Sequence, residues 1–142
     1  MAQAIIRIFP HSKEEFPTAD DLRSWLLTAL KARGERYLLR SGQGSIPPGS
    51  VVLLRHGNKI VGEAVVEEDF VSQHIEEEGF TYEGFIKFAP SSIRLYVGAL
   101  PIEVLGNLAG RDFSVARTYY KIEDWAVYSR ILCEVAREGF YS

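Results

Sequence analysis

The sequence predicts an α+β domain of about five to seven mostly antiparallel strands flanked by helices. Three stretches carry that prediction. The first, Ile46 to Val66 (IPPGSVVLLRHGNKIVGEAVV), reads as a turn, a strand, a tight turn and a second strand. Pro47, Pro48 and Gly49 fix the entry to Val51–Leu54, and His56-Gly57-Asn58-Lys59 supplies a hairpin connection to the second apolar run. In the second stretch Thr18 caps a helix with Asp20 and Asp21 in its first turn, where the helix dipole favours negative charge. Leu22, Trp25, Leu26, Ala29 and Leu30 then form one apolar stripe, and Gly34 closes the helix. In the third, Asp124 caps a final helix with a stripe of Trp125, Tyr128, Ile131, Leu132, Val135 and Ala136, ended by Gly139.

The remaining elements follow from the same rules. Ala4–Phe9 is expected to be a buried first strand ended by Pro10. After a polar loop and the capped helix, Glu35–Arg40 reads as a short strand and Ser41–Gly49 as a loop. Gly62, inside the second strand of the hairpin, signals a bulge or a close backbone approach. The acidic segment Glu67–Gly79 reads as an exposed excursion with room for a turn of helix. Two strands follow, Phe80–Phe88 and Ser92–Gly98. In the latter Ile93, Leu95 and Val97 face one way, Arg94 and Tyr96 the other. Pro101 opens a short helix, Ile102–Leu108, stopped by Gly110, and Phe113–Ile122 is read as a strand.

A chain of 142 residues is expected to form one domain, large enough to bury its own core. Its single cysteine excludes an intrachain disulfide and a zinc site built on several thiolates, and fits a reducing compartment. The N-terminal apolar run is too short for a signal peptide, and no run of eighteen apolar residues marks a membrane span, so the cytoplasm is expected. The net charge of −3 argues against a nucleic-acid partner only until its distribution is read: residues 1–60 carry +4, residues 61–85 carry −8 and residues 86–142 carry +1. A basic face therefore remains compatible with an acidic total.

Catalytic constellations are thin. Cys133 is placed on the apolar side of the last helix, which favours a buried core residue over a nucleophile. His11, His56 and His74 lie in loops or turns without metal-ligand spacing, and Gly42–Gly44 lacks the lysine and helix of a phosphate loop, so no metal or cofactor is expected. Among the acids Glu63 stands apart, because it follows Gly62 inside a strand and could line a cleft as a base, against the plainer reading of a side chain pointing to solvent. Aromatic residues are numerous: Trp25, Tyr37, Phe70, Tyr82, Phe85, Tyr96, Tyr119, Tyr120 and Trp125. Such rings stack on nucleobases, and Tyr37 beside Arg36, with Tyr96 beside Arg94, are the better candidates for a role outside the core.

The order of PPGSVVLL, KIVGEAVV, an acidic excursion and ALPIEVLGNL after a helix resembles the PUA-like superfamily, its ASCH and EVE domains in particular. The likeness spans roughly residues 18–110 and rests on apolar pattern, glycines and one proline. It implies a small, strongly bent β-barrel with a cleft between barrel and helix, and a non-catalytic module that binds RNA or DNA, including a modified or flipped base held in an aromatic pocket. On that reading Arg36, Tyr37, Arg40, Ser41 and Gln43 stand at the cleft mouth, with Arg55, Arg94 and Tyr96 lining it. Arginines would hold phosphates, Gln43 would read a base edge and the tyrosines would stack. Two alternatives stay open. One branch of ASCH proteins is an amidohydrolase of acetylated cytidine that uses a lysine, a threonine and a glutamate. Here no close Lys-x-Thr pair exists, and only Glu63 could be carried over, as a base. The other alternative is a protein-interaction domain whose contact surface is the acidic segment 67–83.

Overall fold

The computed structural model describes residues 3–42, 44–117 and 120–141. At its centre β1 (Ile6–His11) runs parallel to β3 (Val51–His56), with Ile6 opposite Val51 and His11 opposite His56. A two-residue turn with Gly57 at φ 58° leads from β3 into the antiparallel β4 (Lys59–Glu77), as the residues at that turn predict. The first part of β4 also pairs with β6 (Arg94–Pro101), and its second part pairs with β5 (Phe80–Phe88). At the two ends of the order lie β2 (Arg36–Leu39), on β5, and β7 (Lys121–Ile122), on β1.

Seven strands and one parallel pair agree with the expected strand count and α+β class, but the sheet does not close into a barrel. Closure needs the two terminal strands to pair. Here β2 and β7 sit at opposite ends of the strand order, and β7 offers only two residues. What bends the sheet is β4, whose pairing with β5 shifts register three times between Val66 and Ile75.

Helices on both faces explain why the central strands are continuously apolar. Val52, Leu54, Phe9, Val61 and Leu95 pack with Leu22, Leu26 and Leu30 of α1 (Ala19–Leu27) and α2 (Ala29–Ala32). Their neighbours Val51, Leu53, Ile6 and Ile8 pack on the other face with Leu105 of α3 (Ile102–Ala109) and Val127, Ile131 and Val135 of α4 (Trp125–Val135). Thr18 forms a full capping box with Asp21. Asp124 accepts a hydrogen bond from the Ala126 amide at 2.9 Å, so both predicted caps are present.

Several expectations need correction. Pro10 does not end β1; it lies inside the strand, beyond the two residues that pair with β7. The first helix breaks at Thr28, whose hydroxyl donates to the Ser24 carbonyl at 2.7 Å and competes with regular helix geometry. Glu67–Gly79 is no excursion. It is the second half of β4, because Val71 and Ile75 find Phe85 and Tyr82 across the ladder and Glu78-Gly79, both at positive φ, make a tight two-residue turn. Val97 is exposed although Leu95, two residues before it on the same strand, is buried. Of Phe113–Ile122 only Lys121–Ile122 is strand among the described residues, while Phe113 is buried as a core plug. The buried stripe of α4 runs Val127, Ile131, Val135, which leaves Trp125 and Ala136 exposed and turns Cys133, two residues from both Ile131 and Val135, to solvent.

Gly62 does both things its position suggested. The pairing of β4 with β6 shifts register there, and a Cβ on Gly62 would lie 2.7 Å from the Arg94 carbonyl oxygen. Only glycine lets these two backbones approach so closely.

Candidate ligand-binding site

A cavity of about 700 Å³ opens where three parts of the fold meet. Phe9, His11 and the loop through Phe16 form one wall, Trp25 of α1 and Tyr37 to Ser41 of β2 a second, and Glu78, Phe80 and Tyr82 from the tip of the β4–β5 arm a third. The aromatic groups differ in how firmly they are held. Tyr37 is buried between Phe9, Trp25 and Phe88, at ring-centre distances of 5.4, 6.1 and 5.5 Å. Phe80, by contrast, is 42% exposed and keeps its ring free of the core. The Arg40 guanidinium lies over that ring, 4.0 Å from its centre, with the Glu15 carboxylate 3.5 Å away.

A short relay fixes the floor. His11 Nδ1 stands 3.0 Å from the Arg55 carbonyl oxygen, which can only accept, so the proton is on Nδ1. Nε2 then carries a lone pair and accepts the Tyr37 hydroxyl at 2.6 Å. Burial holds the imidazole neutral by lowering its pKa from 6.5 to about 4, against the raising effect of its bond to Arg55. Tyr37 is pushed above the usual phenol range, chiefly by burial and then by the charge of Glu15.

The loop before β3 is anchored by the acidic arm. Asp69 accepts from the Ile46 amide and the Ser45 hydroxyl, both at 2.7 Å, and Glu83 accepts from the Gly42 amide at 2.9 Å. Burial opposes the ionisation of Asp69, but these donors outweigh it and leave the carboxyl below its ordinary range. Acids that read as a solvated charge run thus include two that hold the loop on which Ser41 sits.

The predicted site residues separate into three groups. Tyr37, Arg40 and Ser41 line the cavity, and Arg36 stands on the same strand but outside it, stacked over Phe85 at 5.0 Å. Gln43 lies outside the described residues, as does Tyr119. Arg55 is not a cleft residue. It is 1% exposed, and its guanidinium donates to the carbonyls of Gly57 (2.8 Å), Phe113 (2.6 Å) and Ser114 (3.1 Å), tying the hairpin turn to the 111–117 loop.

Arg94 and Tyr96 belong to a second polar centre, built around Glu63 on the face covered by α4. Glu63 is 1% exposed, not solvated as its plainer reading expected. Its carboxylate accepts the Tyr96 hydroxyl at 2.8 Å, the Tyr128 hydroxyl, and Arg94 at 3.3 Å, while Arg94 lies 4.5 Å over Phe140. Burial and then the nearby carboxylate raise Tyr96 well above the phenol range and push Tyr128 up to about 12. Three donors engage Glu63, which lines neither this cavity nor the one of about 820 Å³ between α3 and α4.

Sequence reasoning missed His11, Phe80 and the cavity-facing role of Trp25. His11 read as a loop residue because Pro10 hid the strand, and Trp25 sits at the margin of a stripe that is otherwise core. The signal that was available is the Phe80, Tyr82 pair at i and i+2, which places two rings on one face of a strand.

No family model and no curated protein sequence matches the chain. A solved structure does. The fold is similar to that of the YTH domain-containing protein mmi1 in its complex with RNA, with a TM-score of 0.54 over 94% of this chain and 82% of that one, at 10% sequence identity. The likeness is one of fold. Among the described residues no cluster of three or more His, Cys, Asp or Glu side chains could hold a metal ion, and no helix is long and apolar enough to cross a membrane.

Proposed function

We propose that this chain is a non-catalytic RNA-binding module that takes a base into the cavity between β1, α1, β2 and the β4–β5 arm. The observation that carries the reading is the cavity itself: a concave site walled by Trp25, Tyr37, Phe80 and Tyr82 with Arg40 at its rim. A base has two π-faces, and stacking on a protein ring contributes about 1–3 kcal/mol. The similarity in fold to a protein solved with RNA supports the same direction. In this account Phe80 and Trp25 stack on the base, Ser41 meets its edge, and Arg36 and Arg40 hold flanking phosphates. Arg94 and Tyr96, on the other face, take no part in the pocket.

The Glu63 arrangement argues against the hydrolase alternative, because a base must free its carboxylate from two tyrosines and an arginine before it can accept a proton. The acidic 67–83 segment as a protein-contact surface is favoured by one observation, the exposure of Val71 on the outer arm. Binding of a fluorescent single-stranded RNA at about 50 mM salt tests the main reading, since phosphate contacts are strongest there. Saturable binding that weakens with salt supports it. No binding to RNA, with a basic protein partner recovered and lost on charge reversal of Glu76 and Glu78, would replace it with the contact-surface reading.

A further inference from the structure

Resting on the base-pocket reading, we infer that the cavity prefers a positively charged heteroaromatic base, of the kind made by methylating a ring nitrogen, over its neutral parent. Three features of the cavity point this way.

The first is the polarity of its hydrogen-bonding groups. The His11 relay directs the Tyr37 proton away from the cavity, onto His11 Nε2 at 2.6 Å. The Tyr37 oxygen therefore offers only lone pairs to anything bound. Glu14, Glu15 and Glu78, which also line the space, are acceptors as well. A ligand that meets these groups must bring N–H donors or positive charge.

The second is the balance of charge. Three carboxylates line the cavity against two guanidiniums, and one of the two, Arg33, is committed to Glu77 outside it. A neutral imidazole adds nothing. Such a space repels a phosphate and lowers the energy of a cation, and aromatic walls reinforce the choice because their π-faces are electron-rich.

The third is what already occupies the Phe80 face. Arg40 presents a flat, delocalised cation 4.0 Å from the ring centre, with the Glu15 carboxylate 3.5 Å from its Nη2. A methylated base cation has the same attributes, being planar, charged and edged with polar hydrogens. Arg40 is thus a resident example of the chemistry the ring and the carboxylate together accept. An entering cation would displace it towards the flanking phosphate.

The test uses the full chain and fluorescence polarisation of a short single-stranded RNA made in matched pairs: one carrying a single 1-methyladenosine or 3-methylcytidine, the other the unmodified nucleotide, at pH 7. The methylated member is expected to bind at least tenfold more tightly. Glu15→Gln is expected to reduce that preference severalfold, read as the ratio of the two affinities so that any change in Arg40 common to both RNAs cancels. Equal binding of the pair, or tighter binding of the neutral member, overturns this inference while leaving the base-pocket reading in place if Phe80→Ala weakens both. A preference that survives Glu15→Gln and Glu14→Gln together also overturns it, because the carboxylates would not then be its source. Absence of binding to every RNA removes both.

Discussion

Acidification is expected to destabilise this fold through one buried residue, His11. Its ring is neutral, donates from Nδ1 to the Arg55 carbonyl and accepts the Tyr37 hydroxyl at Nε2. Burial lowers its pKa from 6.5 to about 4. Between those values the unfolded chain takes up a proton that the folded chain refuses. The stability that the neutral ring contributes is therefore complete above pH 6.5 and is lost as the pH falls towards 4. At about 1.4 kcal/mol per pH decade the difference amounts to about 3 kcal/mol. Urea unfolding at intervals from pH 7.5 to 4, on the wild type and on His11→Phe, isolates the effect from the carboxylates that also titrate at the acid end. His11→Phe loses two hydrogen bonds and is expected to be less stable at pH 7.5, but the gap between the two proteins should narrow by about 3 kcal/mol at pH 4. Groups remote from His11 are unchanged in both proteins and cancel in the comparison. A gap that stays constant from pH 7.5 to 4 would refute the reasoning, because His11 would then titrate alike in both states.

Three further substitutions test the scaffold. Gly84→Ala would drive a Cβ into the Val71 carbonyl and to 2.6 Å from the Phe70 ring, so it should cost about 1–3 kcal/mol in urea unfolding and raise amide exchange along the β4–β5 ladder. Arg55→Met leaves the Phe113, Ser114 and Gly57 carbonyls without their donor and should cost about 1–3 kcal/mol for each acceptor that water cannot reach, read as a fall in the urea midpoint. Tyr128→Phe removes one donor from the buried Glu63 carboxylate and should cost about 2 kcal/mol, with RNA affinity unchanged because Glu63 is remote from the cavity.

Much of this architecture could be read before the structure, and the reasons for the failures are local. Thr18 and Asp124 were legible because capping is a short-range property of side chain and backbone. The hairpin around Gly57 was legible for the same reason. The acidic arm was not, because Glu67, Glu68 and Asp69 mask a ladder whose apolar partners, Val71 with Phe85 and Ile75 with Tyr82, are set by pairing with a distant strand rather than by alternation alone. Barrel closure failed at β7, where Phe113 is a core plug and only Lys121–Ile122 is strand among the described residues. Of the candidate site, Tyr37, Arg40 and Ser41 came from one contiguous stretch and were found together. Arg55 and Arg94 look identical to them in sequence, as exposed-type cations beside apolar strands. Only the tertiary fold shows one bonded to three carbonyls and the other to Glu63. His11, Trp25 and Phe80 come from β1, α1 and the arm, far apart in sequence, and no spacing rule could have gathered them.

The central claim, that a base enters the aromatic cavity, is tested most directly by the RNA affinity of Phe80→Ala. Phe80 is exposed and makes no part of either apolar core, so its removal should leave the urea midpoint in place. Loss of one stacking face worth about 1–3 kcal/mol should weaken binding about 5- to 150-fold. An RNA affinity equal to that of the wild type, in a variant that folds normally, would contradict the account.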